Sequence, residues 1–213
     1  MSSLKERLDN VLQNVKIEKI VAATKYADSN MMRDLYNLGV KNFGENRVEA
    51  FSIKYEELKD LNITWHFIGT LQTKKVKDVI NKIEYLHSLD RITLADEIEK
   101  RRNDVLKCFI EVNISNEDSK QGMKIDDVLD FANKIKDYKK IQVIGLMGMA
   151  ENTDDEFIID KEFKLLSNLR DEVKRIIPSC EKLSMGMSGD YLIALKNGSD
   201  YVRLGSILFK EMN

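Results

Sequence analysis

Lys19-Ile20-Val21-Ala22-Ala23-Thr24-Lys25 is the stretch on which the fold turns. Ile20 to Ala23 is a short apolar run bracketed by polar residues, enough for one fully buried strand. It stops at Thr24-Lys25, and a helical pattern starts just beyond, at Asp28-Ser29-Asn30. A lysine at that junction is expected to be partly desolvated, which disfavours its ammonium form. A neutral amine can attack an aldehyde, so Lys25 is a candidate Schiff-base lysine. The alternative is a strand-end lysine that only reaches water.

The same strand–loop–helix step recurs along the chain. An amphipathic helix over residues 4 to 15, with Leu4, Leu8, Val11, Leu12 and Val15 on one face, precedes the first strand. Further strands are predicted at Val40 to Phe43, Thr64 to Ile68, Ile83 to Leu89, Val105 to Ile114, Ile141 to Met149, Leu183 to Met185 and Tyr201 to Leu204. Helices fall between them, among them one through Leu58, one around Ile125 to Ile135 and one ending before Pro178. Continuous apolar strands alternating with helices indicate a parallel sheet covered on its faces. Eight such units predict an α/β fold, a single (β/α)₈ TIM barrel, with residues 1–213 as one domain. An open doubly wound sheet is the competing fold, but no Gly-x-Gly-x-x-Gly follows the first strand.

Composition narrows the function. The 213 residues are 43% hydrophobic and 33% charged with a net charge of -2, ordinary for a globular chain and without the basic field of a nucleic-acid binder. Cys108 and Cys180 stand in unrelated contexts and offer neither a disulfide framework nor a zinc pattern. The start of the chain lacks the apolar core of a signal peptide, and no run reaches membrane-spanning length, so a cytoplasmic protein is expected. A monomer is expected in the absence of a large apolar stripe. Runs such as Lys54 to Lys59 read as solvated helix faces, and Glu151 to Glu156 as an acidic helix start that needs no metal.

In such a barrel the functional groups gather at the C-terminal ends of the strands. Those positions hold Lys25, Gly44-Glu45-Asn46, Gly69, Met147-Gly148-Met149, Gly186-Met187-Ser188-Gly189 and Arg203-Leu204-Gly205-Ser206. The last two are small-residue loops where backbone N–H groups and serine hydroxyls can meet a phosphate, although Gly186 and Gly189 also serve as turn residues. Phosphate donors beside a strand-end lysine are what pyridoxal 5'-phosphate requires. Its ring nitrogen needs a partner; Arg203 fits, as a group that can only donate, and a salt bridge in the barrel mouth is its other reading. His66 is expected to be a hydrogen-bonded core residue, Glu45 a salt-bridge or helix-start charge, Cys108 buried and inert, and Met147, Met149, Met185 and Met187 barrel packing.

The motifs Val21-Ala22-Ala23-Thr24-Lys25, Phe43-Gly44-Glu45-Asn46, Trp65-His66-Phe67-Ile68-Gly69 with Leu71-Gln72, Val112-Asn113-Ile114-Ser115 with Ser119-Lys120-Gln121-Gly122, Gly145-Leu146-Met147, Leu183-Ser184-Met185-Gly186-Met187-Ser188 and Val202-Arg203-Leu204-Gly205 occur in that order over nearly the whole chain. Together they resemble the YggS/PROSC family of pyridoxal phosphate homeostasis proteins, which are similar to the barrel domain of alanine racemase. The resemblance implies Lys25 as the Schiff-base lysine and Arg203 opposite the pyridine nitrogen. It further implies Ser188, Gly205 and Ser206 around the phosphate, Asn46 near the ring, and apo pyridoxal enzymes as recipients of the cofactor. Thr70, Lys74, Ser206 and Lys210 depart from the usual pattern, and Ser206 keeps the hydroxyl.

Two functions follow as expectations. One is a carrier that holds pyridoxal phosphate and manages its supply without robust turnover. The other is an amino-acid racemase or decarboxylase. Racemisation needs a second base opposite Lys25; alanine racemases take it from an additional β-domain, for which the sequence ending at Asn213 leaves no room. A phosphate-binding barrel without pyridoxal is the third reading, with Lys25 an ordinary lysine.

Overall fold

The fold is described by a computed structural model covering residues 3–115 and 121–210. Ser119 and Lys120 of the quoted motif lie outside the described residues. Local chemistry starts the chain: Ser3 Oγ accepts the Glu6 N–H and the Glu6 carboxylate accepts the Ser3 N–H, so α1 (Leu4–Leu12) begins with two otherwise orphaned donors satisfied. The elements that follow are β1 (Ile20–Ala23), α2 (Ser29–Asn37), β2 (Asn42–Glu45), α3 (Val48–Glu57), β3 (Thr64–Phe67), α4 (Val76–Val79), β4 (Tyr85–Leu89), α5 (Ile92–Arg101) and β5 (Leu106–Asn113). The second half holds β6 (Met123–Lys124), α6 (Val128–Ile135), β7 (Ile141–Gly148), α7 (Glu156–Ile176), β8 (Lys182–Ser184), α8 (Tyr191–Lys196), β9 (Val202–Leu204) and α9 (Ser206–Phe209).

The strands pair in the order β8-β7-β5-β4-β3-β2-β1-β9, all parallel, and Ser184 of β8 bridges Tyr201 beside β9. The sheet therefore curls into the nearly closed eight-stranded barrel that the sequence pattern predicts. Two details differ. The second strand is Asn42–Glu45 rather than Val40 to Phe43, because pairing with β1 and β3 (Ala22↔Phe43, Glu45↔Phe67) sets its ends, not apolarity. The short β6 was not expected; it exists only through its register with β5 (Val112↔Met123), which no local pattern encodes. Pro178 ends α7 as predicted: Ile177, the residue before it, is extended (φ -122°, ψ 95°).

Alternate strand residues separate two layers. Phe43, Trp65, Phe67, Leu86 and Leu106 join the large apolar layer beneath the helices. The inner face is mixed: Phe109, Ile144 and Met147 pack with Tyr85, Met149 and Tyr201, and the buried His66 and His87 lie against these aromatics. No helix among the described residues is long and apolar enough to cross a membrane.

One contact shows how tightly β7 and β8 approach. Gly145 pairs with Lys182, and a Cβ placed on Gly145 would stand 2.0 Å from the Lys182 carbonyl oxygen. That neighbour is backbone and cannot swing aside, so overpacking must separate the strands. Gly145→Ala should destabilise the protein by about 2–3 kcal/mol in urea denaturation, while Gly189→Ala, with nothing within 4 Å of the added atom, should stay within about 0.5 kcal/mol of wild type.

Candidate functional site

The chain leaves β1 through a single 3₁₀ turn, Thr24–Tyr26. That turn buries Thr24, whose hydroxyl donates to Glu45 Oε1 at 2.5 Å, and carries Lys25 outward. Lys25 is exposed, so the expected partial desolvation at the strand end is not observed; the buried junction residue is Thr24. Its ammonium lies 5.1 Å from the centroid of the Tyr26 ring, which Lys210 approaches at 4.9 Å. Glu45, expected as a salt-bridge or helix-start charge, is buried and held by Lys54 Nζ at 2.5 Å. Lys54 also donates to the Thr24 carbonyl at 2.7 Å. It thus packs inward instead of sitting on the solvated face its surroundings suggested, because Glu45 needs a counter-charge.

Lys25 lines one cavity of about 450 Å³ at the C-terminal ends of the strands, together with Asn46, Gly69, Glu111, Met187 and Arg203. Ala23, Gly44, Arg47, Ile68, Thr70, Gln121 and Met149 complete it. Three of the six predicted residues, Lys25, Asn46 and Arg203, are thereby brought together. The other three meet in the neighbouring loops: Ser188 Oγ accepts the N–H groups of Gly205 (3.3 Å) and Ile207 (3.2 Å), and Ser206 opens α9 between them. The Ser188 loop can lie so close because Gly186 adopts φ +93°, where a Cβ would strike Ala194 at 2.5 Å. Met149 and Met187 line the cavity and so are not only barrel packing, whereas Met147 and Met185 are buried as expected. A larger surface hollow of about 610 Å³ runs along α7 and contains none of these strand-end groups.

Arg203 is the rigid end of the cavity. It is 5% exposed, and its guanidinium donates from Nη1 to Ser184 O and Ser184 Oγ, both 2.8 Å, and from Nη2 to Gly148 O at 3.1 Å. None of these bonds uses Nε. Burial lowers its pKa to about 10, against the pull of Glu111 and Asp190, so it stays charged near neutrality. Histidine contributes no general base here: His66 and His87 are fully buried beneath the cavity, and burial, helped by Lys107, takes His66 down to about 3.

Glu111 was missed by the sequence reading. Its signal in the sequence is a lone carboxylate in the apolar run Cys108 to Ile114. Glu111 is 3% exposed, its Oε2 has no hydrogen-bond partner, and it faces the cavity. Burial, with Asp90 adding to it, raises its pKa to about 7 despite Arg203 and Arg91. A buried polar atom without a partner is costly unless something polar meets it.

Fold and site together define a parallel barrel protein with a strand-end cavity that sets a lysine amine and a buried arginine on one ligand space. Comparison with known proteins places it more closely. The alanine racemase N-terminal domain family matches residues 1–212. The pyridoxal phosphate homeostasis protein of Aquifex aeolicus is 38% identical, with 97% of each chain covered, and that of Helicobacter pylori strain J99 is 35% identical, with 99% of this chain and all of the relative covered. PipY of Synechococcus elongatus, solved with PLP bound, superposes with a TM-score of 0.89 at 26% identity over 97% of this chain and all of PipY. Alanine racemase from Corynebacterium glutamicum shares the fold, with a TM-score of 0.81 at 11% identity over 98% of this chain and 61% of the enzyme. The chain belongs to the alanine racemase N-terminal domain family, in the branch of the pyridoxal phosphate homeostasis proteins.

Glu111 makes the site's electrostatics testable. Its raised pKa means that it favours folding below its ordinary value of 4.5 and that this contribution is lost as pH rises through about 7. At about 1.4 kcal/mol per unit, the loss is about 3 kcal/mol. Urea denaturation of the cofactor-free protein should therefore show Glu111→Gln gaining about 3 kcal/mol on wild type between about pH 4 and about pH 8. An unchanged difference over that range would place the carboxyl in a solvated setting.

Proposed function

We propose that residues 1–213 act as one pyridoxal 5'-phosphate-binding barrel domain, a cytoplasmic monomer that holds the cofactor and hands it on to apo enzymes that use it, without robust turnover of its own. The observation that carries this reading is the single cavity lined by both Lys25 and Arg203, with the Ser188 and Gly205-Ser206 loops alongside. The named role of the relatives and the PLP bound to PipY support it.

The residues fit the group. Lys25, at an accessible mouth, is the amine that would condense with the cofactor's aldehyde. Ser188 Oγ accepts two backbone N–H groups and keeps its own hydrogen to donate, so with Ser206 it would hold the phosphate. Asn46 would lie along the ring, and Arg203 would face the pyridine nitrogen. The unpartnered Glu111 Oε2 awaits a donor from whatever fills the cavity. When bound, the cofactor supplies an electron sink for carbanions, whose strength depends on protonation of its ring nitrogen.

What the chain's residues do to that chemistry favours holding over turnover. Arg203 is a donor under all ordinary conditions, so it opposes a proton on the ring nitrogen. Among the described residues lining the cavity, Glu111 is a group whose raised pKa of about 7 lets it move a proton near neutrality; His66 and His87 are sealed off below. An exposed Lys25 would leave its bond to the cofactor open to water and incoming amines, which suits loading and release.

Borohydride treatment of the loaded protein followed by peptide mapping should place a pyridoxyl group on Lys25, and Lys25→Ala should lose it; label on another lysine would refute the assignment. Incubation with a panel of L- and D-amino acids, alongside transfer to an apo enzyme, checks the role. Transfer with turnover well below about 1 per second is expected, and faster conversion of any amino acid would favour the racemase or decarboxylase reading.

Ser188→Ala removes one hydroxyl from a charged ligand while the backbone donors remain. Affinity for pyridoxal phosphate should fall by about 1.5–3 kcal/mol, with affinity for unphosphorylated pyridoxal nearly unchanged. Equal losses in a parallel titration of both ligands would mean that Ser188 does not meet the phosphate.

A further inference from the structure

A chain of hydrogen bonds crosses the barrel interior behind Arg203. Its guanidinium donates to Ser184 Oγ at 2.8 Å, Ser184 Oγ lies 2.9 Å from His87 Nδ1, His87 Nε2 lies 2.9 Å from His66 Nδ1, and His66 Nε2 lies 3.2 Å from Asn42 Oδ1. Ser184, His87 and His66 have no measurable exposure. Aromatic rings insulate the chain: Tyr85 stacks on His66 at 4.3 Å between centroids, and Phe109 lies 4.5 Å from His87.

The direction of this chain follows from its Asn42 end. Asn42 Nδ2 donates to the Glu18 carbonyl at 3.2 Å, so its oxygen is the atom turned to His66, and His66 Nε2 must donate to it. A neutral His66 then accepts at Nδ1, His87 donates from Nε2 and accepts at Nδ1, and Ser184 donates its hydrogen to His87. Ser184 Oγ is left as an acceptor, the one role an arginine can use. The Arg203 end accommodates the arrangement that follows from Asn42: two neutral imidazoles, both with the hydrogen on Nε2. A proton on His66 Nδ1 would face the His87 Nε2–H, and a proton on His87 Nδ1 would take away the acceptor of the Ser184 hydroxyl hydrogen; either sets a like charge near Arg203. The charged groups around the chain are Lys107 near His66, and Glu111 and Asp190 near Arg203.

We infer that Ser184, His87, His66 and Asn42 are positioning residues for Arg203: the one-way chain locks the guanidinium so that it meets the bound cofactor's ring nitrogen only as an oriented donor. This rests on the reading that Arg203 faces that nitrogen. The chain reaches from Asn42, at the first residue of β2, to the cavity end of β9, so Arg203 is held before any ligand arrives. Two of its Nη donors are used on Ser184 and one on Gly148, which leaves Nε–H and the second Nη2–H free of this scaffold.

The test has two arms. Nitrogen-15 NMR of the histidine rings in cofactor-free protein should show both in the Nε2–H form, unchanged between about pH 5 and about pH 9. A Nδ1–H form, or titration of either ring in that range, overturns the inference, whatever the cofactor does. The second arm follows the absorbance of bound pyridoxal phosphate against pH, with its affinity, in wild type, Arg203→Gln, Ser184→Ala and Ser184→Thr. Ser184→Ala should weaken binding about tenfold and move the pH profile toward that of Arg203→Gln, while Ser184→Thr, which keeps the hydroxyl, restores it. If Arg203→Gln changes the profile and Ser184→Ala leaves it as wild type, the inference fails and the reading of Arg203 stands. If Arg203→Gln itself changes nothing, both fall.

Discussion

Closure of the sheet between β8 and β9 is the constraint on which the rest of the molecule depends. An open edge of parallel strands would present unpaired N–H and C=O groups to other chains, yet these two strands have only three residues each. Few main-chain bonds cross the seam, among them Tyr201 N–H to Leu183 O at 3.0 Å and Arg203 N–H to Gly186 O at 2.9 Å. Side chains complete it: Asp200 accepts the Leu183 N–H at 2.9 Å, Ser199 donates to Met185 O at 2.7 Å, and Arg203 Nη1 donates to Ser184 O at 2.8 Å. The arginine of the candidate site is thus also a stitch in the seam, and site and closure share one set of bonds.

Buried charge is treated in two ways inside this frame. Glu45 is surrounded by its partners, with Lys54 and Thr24 both at 2.5 Å, and such a group is structural because its desolvation is offset where it sits. Glu111 has no such enclosure; one oxygen is left bare toward the cavity. The difference between the two carboxyls is geometric, and it separates a charge that holds the fold from one that faces a ligand space.

The cavity itself pairs a fixed end with a yielding one. Arg203 is anchored by three bonds and by the polar chain behind it, so it loses little freedom when a ligand is met. Lys25 rides on a single 3₁₀ turn, and its side chain is exposed to solvent. A fixed guanidinium with an accessible amine at the mouth is suited to the proposed exchange, in which the cofactor would be held well enough to be chosen and loosely enough to leave.

Much of the fold was legible in the sequence, because its determinants are local. Apolar runs such as Ile20 to Ala23 and Ile141 to Met149, separated by capped helices and small-residue loops, define parallel βα units, and the strand-end rule draws Lys25, Asn46, Ser188, Arg203, Gly205 and Ser206 to one end of a barrel. Only the tertiary structure decided the register of β2, the existence of β6 and the exposure of Lys25, since each depends on a partner strand or side chain distant in the sequence. It alone showed that Asn42, His66, His87, Ser184 and Arg203 form one line through the barrel. Their spacing carries no period, and closure of the sheet is what brings residues 42 and 203 to the two ends of the same chain of hydrogen bonds.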